Sequence, residues 1–134
     1  MTAHGRFDVE TTPQPADAPE AAGPFGRLFL DKQFHGDLEA TSKGQMLGAY
    51  TTVQGSGAYV ALEQVTGSLH GRLGSFMLQH RGTMQGTDFR MDVTVVPDSG
   101  TESLTGITGT MKIILEGKGH HYEFAYTLPL SEHA

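Results

Sequence analysis

The sequence predicts an all-β domain, most simply an antiparallel barrel of about eight strands. Three observations predict it. Apolar and polar residues alternate in one short segment after another, the period of a strand with one buried face. Short turns rich in Gly, Pro, Asp and Ser separate the segments. No stretch carries the period of a long amphipathic helix. Consecutive antiparallel strands close readily into a barrel, which removes exposed edges, and a β-sandwich is the competing arrangement. At 134 residues the chain fits one domain, residues 1–134.

The segments follow in order. From His4 to Thr11, Phe7, Val9 and Thr11 share one face. Residues 12–24 hold Pro13, Pro15, Pro19 and Pro24 and read as a surface loop, with a short helical turn over Ala16 to Ala22 as an option. Gly26 to Phe34 is strand-like with apolar residues on both faces, so periodicity leaves its inside unassigned. Gly36 to Thr41 is a short strand, Ser42-Lys43-Gly44 a turn, and Gln45 to Val53 the next strand. Gln54-Gly55-Ser56-Gly57 turns the chain into Ala58 to Val65, continued after a bend at Gly67. Leu73 to Met84 is long, and Phe89 to Val96 has the cleanest alternation. Val95 to Gly109 is a Gly-rich corner of the closed sheet, leading into Thr110 to Leu115. Gly117-Lys118-Gly119 turns into His120 to Leu128, and Ser131 to Ala134 is a tail.

Composition excludes several classes. There is no cysteine, so disulfides, thiolate metal sites and a Cys nucleophile are out, and a cytoplasmic location is the expectation. A net charge of -6 with scattered charges argues against nucleic acid as a partner. No apolar run is long enough for a membrane helix, so no membrane partner is expected. The start, Met1-Thr2-Ala3-His4-Gly5, lacks the basic and apolar regions of a signal peptide.

Four ordered motifs carry a family resemblance. They are Phe34-His35-Gly36-Asp37-Leu38-Glu39-Ala40-Thr41-Ser42, Tyr59-Val60-Ala61-Leu62-Glu63, Gly71-Arg72-Leu73-Gly74-Ser75-Phe76-Met77-Leu78-Gln79-His80, and Val96-Pro97-Asp98-Ser99-Gly100-Thr101 continuing to Leu104 and Gly106-Ile107-Thr108-Gly109. Together they resemble DUF3224, a bacterial domain family of unknown function, from Phe34 to about Leu128. The resemblance implies an allene oxide cyclase-like, calycin-like barrel of eight strands. Ser99-Gly100-Thr101 with Gly106 and Gly109 is more distantly similar to the Gly-rich hairpin of allene oxide cyclases and dirigent proteins, which steer reactive intermediates to one product. The chain departs from its nearer family at Glu102-Ser103, where a Gly-acid pair is commoner. No cyclase catalytic residue aligns.

Candidate chemistry centres on Glu63 and His80. If Glu63 faces inward, burial raises its proton affinity and makes it a general acid or base. If it faces outward it pairs with a cross-strand Lys or Arg, the slightly favoured arrangement. His80 shares a face with Phe76 and Leu78, where a core histidine is commoner than a catalyst. Facing inward on neighbouring strands, the two would make a minimal proton-transfer pair. Tyr50, Tyr59, Tyr122 and Tyr126 with Phe76 could line a ligand pocket or simply pack a core. Arg72 and Gln79 are candidates for orienting a carbonyl or carboxylate. Asp8 and Glu10 share a face and read as solvated charges. The histidines show no ligand spacing, His120 and His121 point to opposite faces, and no metal or cofactor is expected. The functional expectation is a protein that binds a small apolar or amphipathic molecule in its barrel, as an isomerase or cyclase. The alternative is a non-catalytic carrier or interaction module with a filled barrel. Outward apolar residues such as Met77 and Val96, and the habit of related barrels, point to a homo-oligomer.

Overall fold

The computed structural model describes residues 1–16, 18, 23–117 and 119–129. It is a closed antiparallel barrel of eight strands, each paired with its neighbours in chain order. The strands are β1 (Thr2–Gln14), β2 (Phe25–Gly36), β3 (Leu38–Tyr50), β4 (Ser56–Leu69), β5 (Arg72–Gln85), β6 (Asp88–Val95), β7 (Thr108–Glu116) and β8 (Gly119–Thr127). β8 closes on β1, with Ala3 opposite Phe124 and Phe7 opposite His120. Closure gives every strand a neighbour on both sides, with β6 and β7 joined at a single pair.

Strict alternation puts Phe7, Phe34, Val65, Phe76, Leu78, Val93, Met111, Tyr122 and Phe124 inside. In β2 the inward set is Leu28, Leu30, Lys32 and Phe34, which settles the face that periodicity left open. One expected break is absent. Ser42-Lys43-Gly44 is no turn: β3 runs through it, with Ser42 opposite Val65 and Lys43 opposite Gln64. Turn chemistry loses there because thirteen ladder positions of β4 are already in register. β4 is one strand through Gly67 to Leu69, in unbroken register. The missing side chain lets the backbone approach Ala40 and Glu39 closely. β1 also outlasts its prediction, pairing through Gln14 opposite Arg27, so the Pro-rich loop begins later than residue 12. The option of a helical turn over Ala16 to Ala22, Lys118 in its turn and the tail Ser131 to Ala134 fall outside the described residues.

The barrel has two ends of different character. At the β6–β7 end the corner predicted at Val95 to Gly109 acts as a plug. A short 3-10 turn at Glu102–Leu104 tucks Leu104 and Ile107 into the barrel, both fully buried. Ser99 Oγ accepts from Met77 N and donates to the Val96 carbonyl, and Thr101 Oγ1 accepts from Ser75 N. These bonds lace the loop to β5, and they make Ser99 a turn residue. β6 and β7 themselves pair only at Thr94 and Thr110. Glu102 sits at φ +51, a conformation in which glycine carries no strain.

At the other end the inward side chains Leu28, Met46, Tyr59, Met84, Met91 and Ile113 are only half-buried, and Phe89 and Leu115 are exposed. Packing is therefore complete in one half of the barrel and incomplete in the other. Among the described residues, no helix is long and apolar enough to cross a membrane.

Candidate functional site

Between these halves lies a cluster of polar side chains in the barrel interior. β2 contributes Lys32, β3 Ser42, β4 Glu63 and β5 His80, all buried. The ladder explains why they meet. Lys32 pairs with Ser42, Gly44 with Glu63, and Ala61 with His80, so alternation aims all four side chains inward at neighbouring levels. Gly44 provides the room: a Cβ there would sit 2.7 Å from Glu63 Cβ and 2.6 Å from the Leu62 carbonyl.

Glu63 is the hub, 2 % exposed. Its Oε2 accepts from Lys32 Nζ at 2.7 Å, and its Oε1 accepts from Ser42 Oγ at 3.0 Å. His80 Nε2 lies 2.6 Å from the same Oε2, though the ring is not turned for an aligned hydrogen bond to any described residue. The Lys32 ammonium also sits over the Phe7 ring, 5.0 Å from its centroid, and near the Phe34 ring.

The acidity of Glu63 runs opposite to the expectation for a buried carboxyl. Burial pushes it up, but the contact with His80 and the positive charge of Lys32 together outweigh burial and hold it down at about 2. Glu63 is accordingly an anion at neutral pH, held between Lys32 and His80. His80, 4 % exposed, faces the Glu63 carboxylate from β5.

Tyr59 belongs to this half. It follows the same face of β4 as Glu63, and its ring lies flat over Gly82, whose missing side chain makes the seat. Burial and the charge of Glu63 both raise its phenol above the usual range, so it stays a neutral donor. Gly82 and Gly44 could be found in the sequence only as strand-interior glycines, a weak sign of close approach.

The other predicted site residues do not join the cluster. Phe76, Tyr122 and Tyr126 pack the closed half: Phe76 stacks on Phe124, and Phe124 on Tyr126. Tyr122 is a lock, its hydroxyl accepting from Leu38 N and donating to the His35 carbonyl. Burial is the main reason its phenol is pushed up to about 12. Tyr126 meets His70, which also faces Asp37 at 3.6 Å. Tyr50 ends β3 in solvent, and Arg72 is exposed beside the β4–β5 turn. Gln79 points outward, because its neighbour His80 points in. It lines a groove of about 630 Å³ on the outer surface, with Arg27, Lys43, Leu47, Val60 and Leu62. Asp8 and Glu10 are outward and exposed, Asp8 near Arg6 and His35.

Lys32 was missed by sequence reasoning. Its signal was present: it falls in phase with Leu28, Leu30 and Phe34, so the burial of those residues obliges its own. Among the described residues, no group of His, Asp and Glu is arranged to hold a metal ion.

Comparison with known proteins gives a family and a fold. No curated protein matches the chain. A crystal structure of a protein of unknown function from the DUF3224 family, from Shewanella oneidensis MR-1, is 48% identical, covers 98% of each chain and superposes with a TM-score of 0.89. The family model described as protein of unknown function (DUF3224) matches residues 3–126, and the chain belongs to that family.

Proposed function

We propose that the chain binds a small apolar or amphipathic molecule in the half-packed part of its barrel, and that the Lys32–Glu63–His80 cluster at the floor meets the molecule's polar group. The observation that supports this is a buried ion pair with an imidazole beside it, directly beneath half-buried apolar walls. Well-packed hydrophobic residues in those positions would be as stable or more so, so stability alone does not account for the charges. The chemistry such a site suits is proton transfer through His80, oriented by Glu63, as an isomerisation or cyclisation needs. Met46, Met84 and Met91 give the walls side chains that adapt to a ligand's shape. The resemblance to allene oxide cyclase-like, calycin-like barrels agrees with this reading by analogy of fold. The cysteine-free composition fits work in a reducing compartment such as the cytoplasm.

A non-catalytic carrier is the second reading. It draws on the partners Glu63 already has in Lys32 and Ser42, which leave its charge satisfied without substrate. Native mass spectrometry of the protein after exposure to a metabolite extract tests both. The proposal expects a retained small molecule on the wild type and its loss in His80→Ala. Retention by neither protein, or equally by both, contradicts a ligand at this cluster. With the retained molecule in hand, a turnover assay divides the readings: proton transfer predicts a rate about 10²–10⁴ lower in His80→Ala, and a carrier shows no turnover at all.

A further inference from the structure

The outer surface of the barrel is uneven. On β4 every outward side chain is uncharged: Ala58, Val60, Leu62, Gln64, Thr66 and Ser68. Flanking this strip are Phe29, Leu47 and Met77, all exposed, and the groove beside it is floored by Leu47, Val60 and Leu62. The ladder makes the patch continuous. Leu47 is opposite Val60, and Gln45 is opposite both Phe29 and Leu62. The far side of the barrel is different: β1, β7 and β8 turn Arg6, Asp8, Glu10, Lys112, Glu116 and Glu123 outward.

We infer that the outer face of β2–β5 is the interface of a homodimer, with a second copy of this chain as its occupant. Two arguments select that occupant. The first is charge. Two copies each carrying -6 repel, so they can dock only where charge is locally absent or cancelled. The β4 strip has none, and at its margins Lys43 is paired with Asp31 at 2.6 Å and Arg81 with Asp92 at 3.3 Å, while Glu39 faces His35 at 3.7 Å and Arg27 lies over the Phe29 ring. A basic partner would be drawn to the acidic remainder of the surface instead. The second is area. Strands of this length, at about 3.3 Å per residue and about 4.8 Å apart, give the four-strand face about 800 Å². A stable pairwise interface uses about 800 Å² from each partner. Placing β4 on the two-fold axis lets the same strip meet itself, as an isologous contact requires.

Sedimentation velocity across about 1–100 µM protein tests the inference. The wild type is expected to sediment with twice the chain mass. Leu62→Lys should weaken association by about a hundredfold or more, since it places an unpaired charge at the centre of the contact, and so leave a monomer. Ile114→Lys, on the outer face of β7, should stay dimeric. Val60→Arg, read beside circular dichroism, is the second variant should Leu62→Lys misfold. A monomeric wild type at the top of the range overturns the inference. So does a dimer that survives both folded β4 variants or dissociates in Ile114→Lys.

Discussion

At the β6–β7 end, inward positions carry Phe34, Leu38, Leu69, Phe76, Leu104, Ile107 and Phe124, all almost fully buried. At the other end the same strands carry Leu28, Met46, Tyr59, Met84 and Met91, and these are half-buried. The boundary between the halves is drawn by charged and polar residues, Lys32, Ser42, Glu63 and His80. In the closed half Tyr122 ties the backbone at Leu38 and His35, and Tyr126 meets the His70 side chain. In the open half the Tyr59 ring lies against Gly82. One half of the barrel is accordingly the packed core, and the other holds the inward positions that the proposed site uses.

Substitutions in the two halves separate these roles. Phe124→Ala should cost about 3–5 kcal/mol in denaturant unfolding, because it empties the stack between Phe76 and Tyr126. Glu63→Gln should cost a similar amount, about 3–5 kcal/mol, by leaving the Lys32 ammonium buried without its counter-charge. The two losses differ in their remedy. Lys32→Met combined with Glu63→Leu should recover most of the stability, since well-packed apolar residues replace a buried ion pair without net loss, while abolishing the ligand retention proposed above. A double variant as unstable as Glu63→Gln would show that the cluster is structural.

Acid should act on the boundary cluster through Glu63. The Glu63 carboxyl is held at about 2 against an ordinary 4.5, so the unfolded chain binds its proton more readily than the folded one. Its contribution, about 3 kcal/mol, is complete above pH 4.5 and is lost as pH falls toward 2. Urea midpoints measured across that window should fall more steeply for the wild type than for the double variant.

The smaller effects belong to the closed half. Tyr122→Phe strands the buried Leu38 N–H and should cost about 1–3 kcal/mol. Glu102→Gly should gain about 0.5–1 kcal/mol, by relieving an L-residue at φ +51. No gain at Glu102 would mean that the loop holds that conformation without strain.

The sequence shows the barrel more readily than the site, for a physical reason. Strand period is local, so Phe89 to Val96 and His120 to Leu128 announce their faces unaided. Glu63 and His80 could be put on faces but not on sides, because which face is inward depends on closure of the whole sheet. Glu63 points inward, against the slight preference for an outward pair, since Ala61 and Val65 take it with them. Its proton affinity depended on Lys32, two strands away, which no local pattern links to it. Ser42-Lys43-Gly44 misled because turn residues inside a long ladder yield to their neighbours' pairing.

Methionine methyl groups are spread across the regions that matter: Met46, Met84 and Met91 in the open half, Met111 in the closed half and Met77 outside. NMR spectra of the ¹³C-methyl-methionine protein, recorded as anilinonaphthalene sulfonate is added as an apolar anionic probe, test the central claim most directly. The account predicts that Met46, Met84 and Met91 shift together, that Met111 does not, and that His80→Ala weakens the response. Shifts confined to Met77, or a response led by Met111, would contradict it.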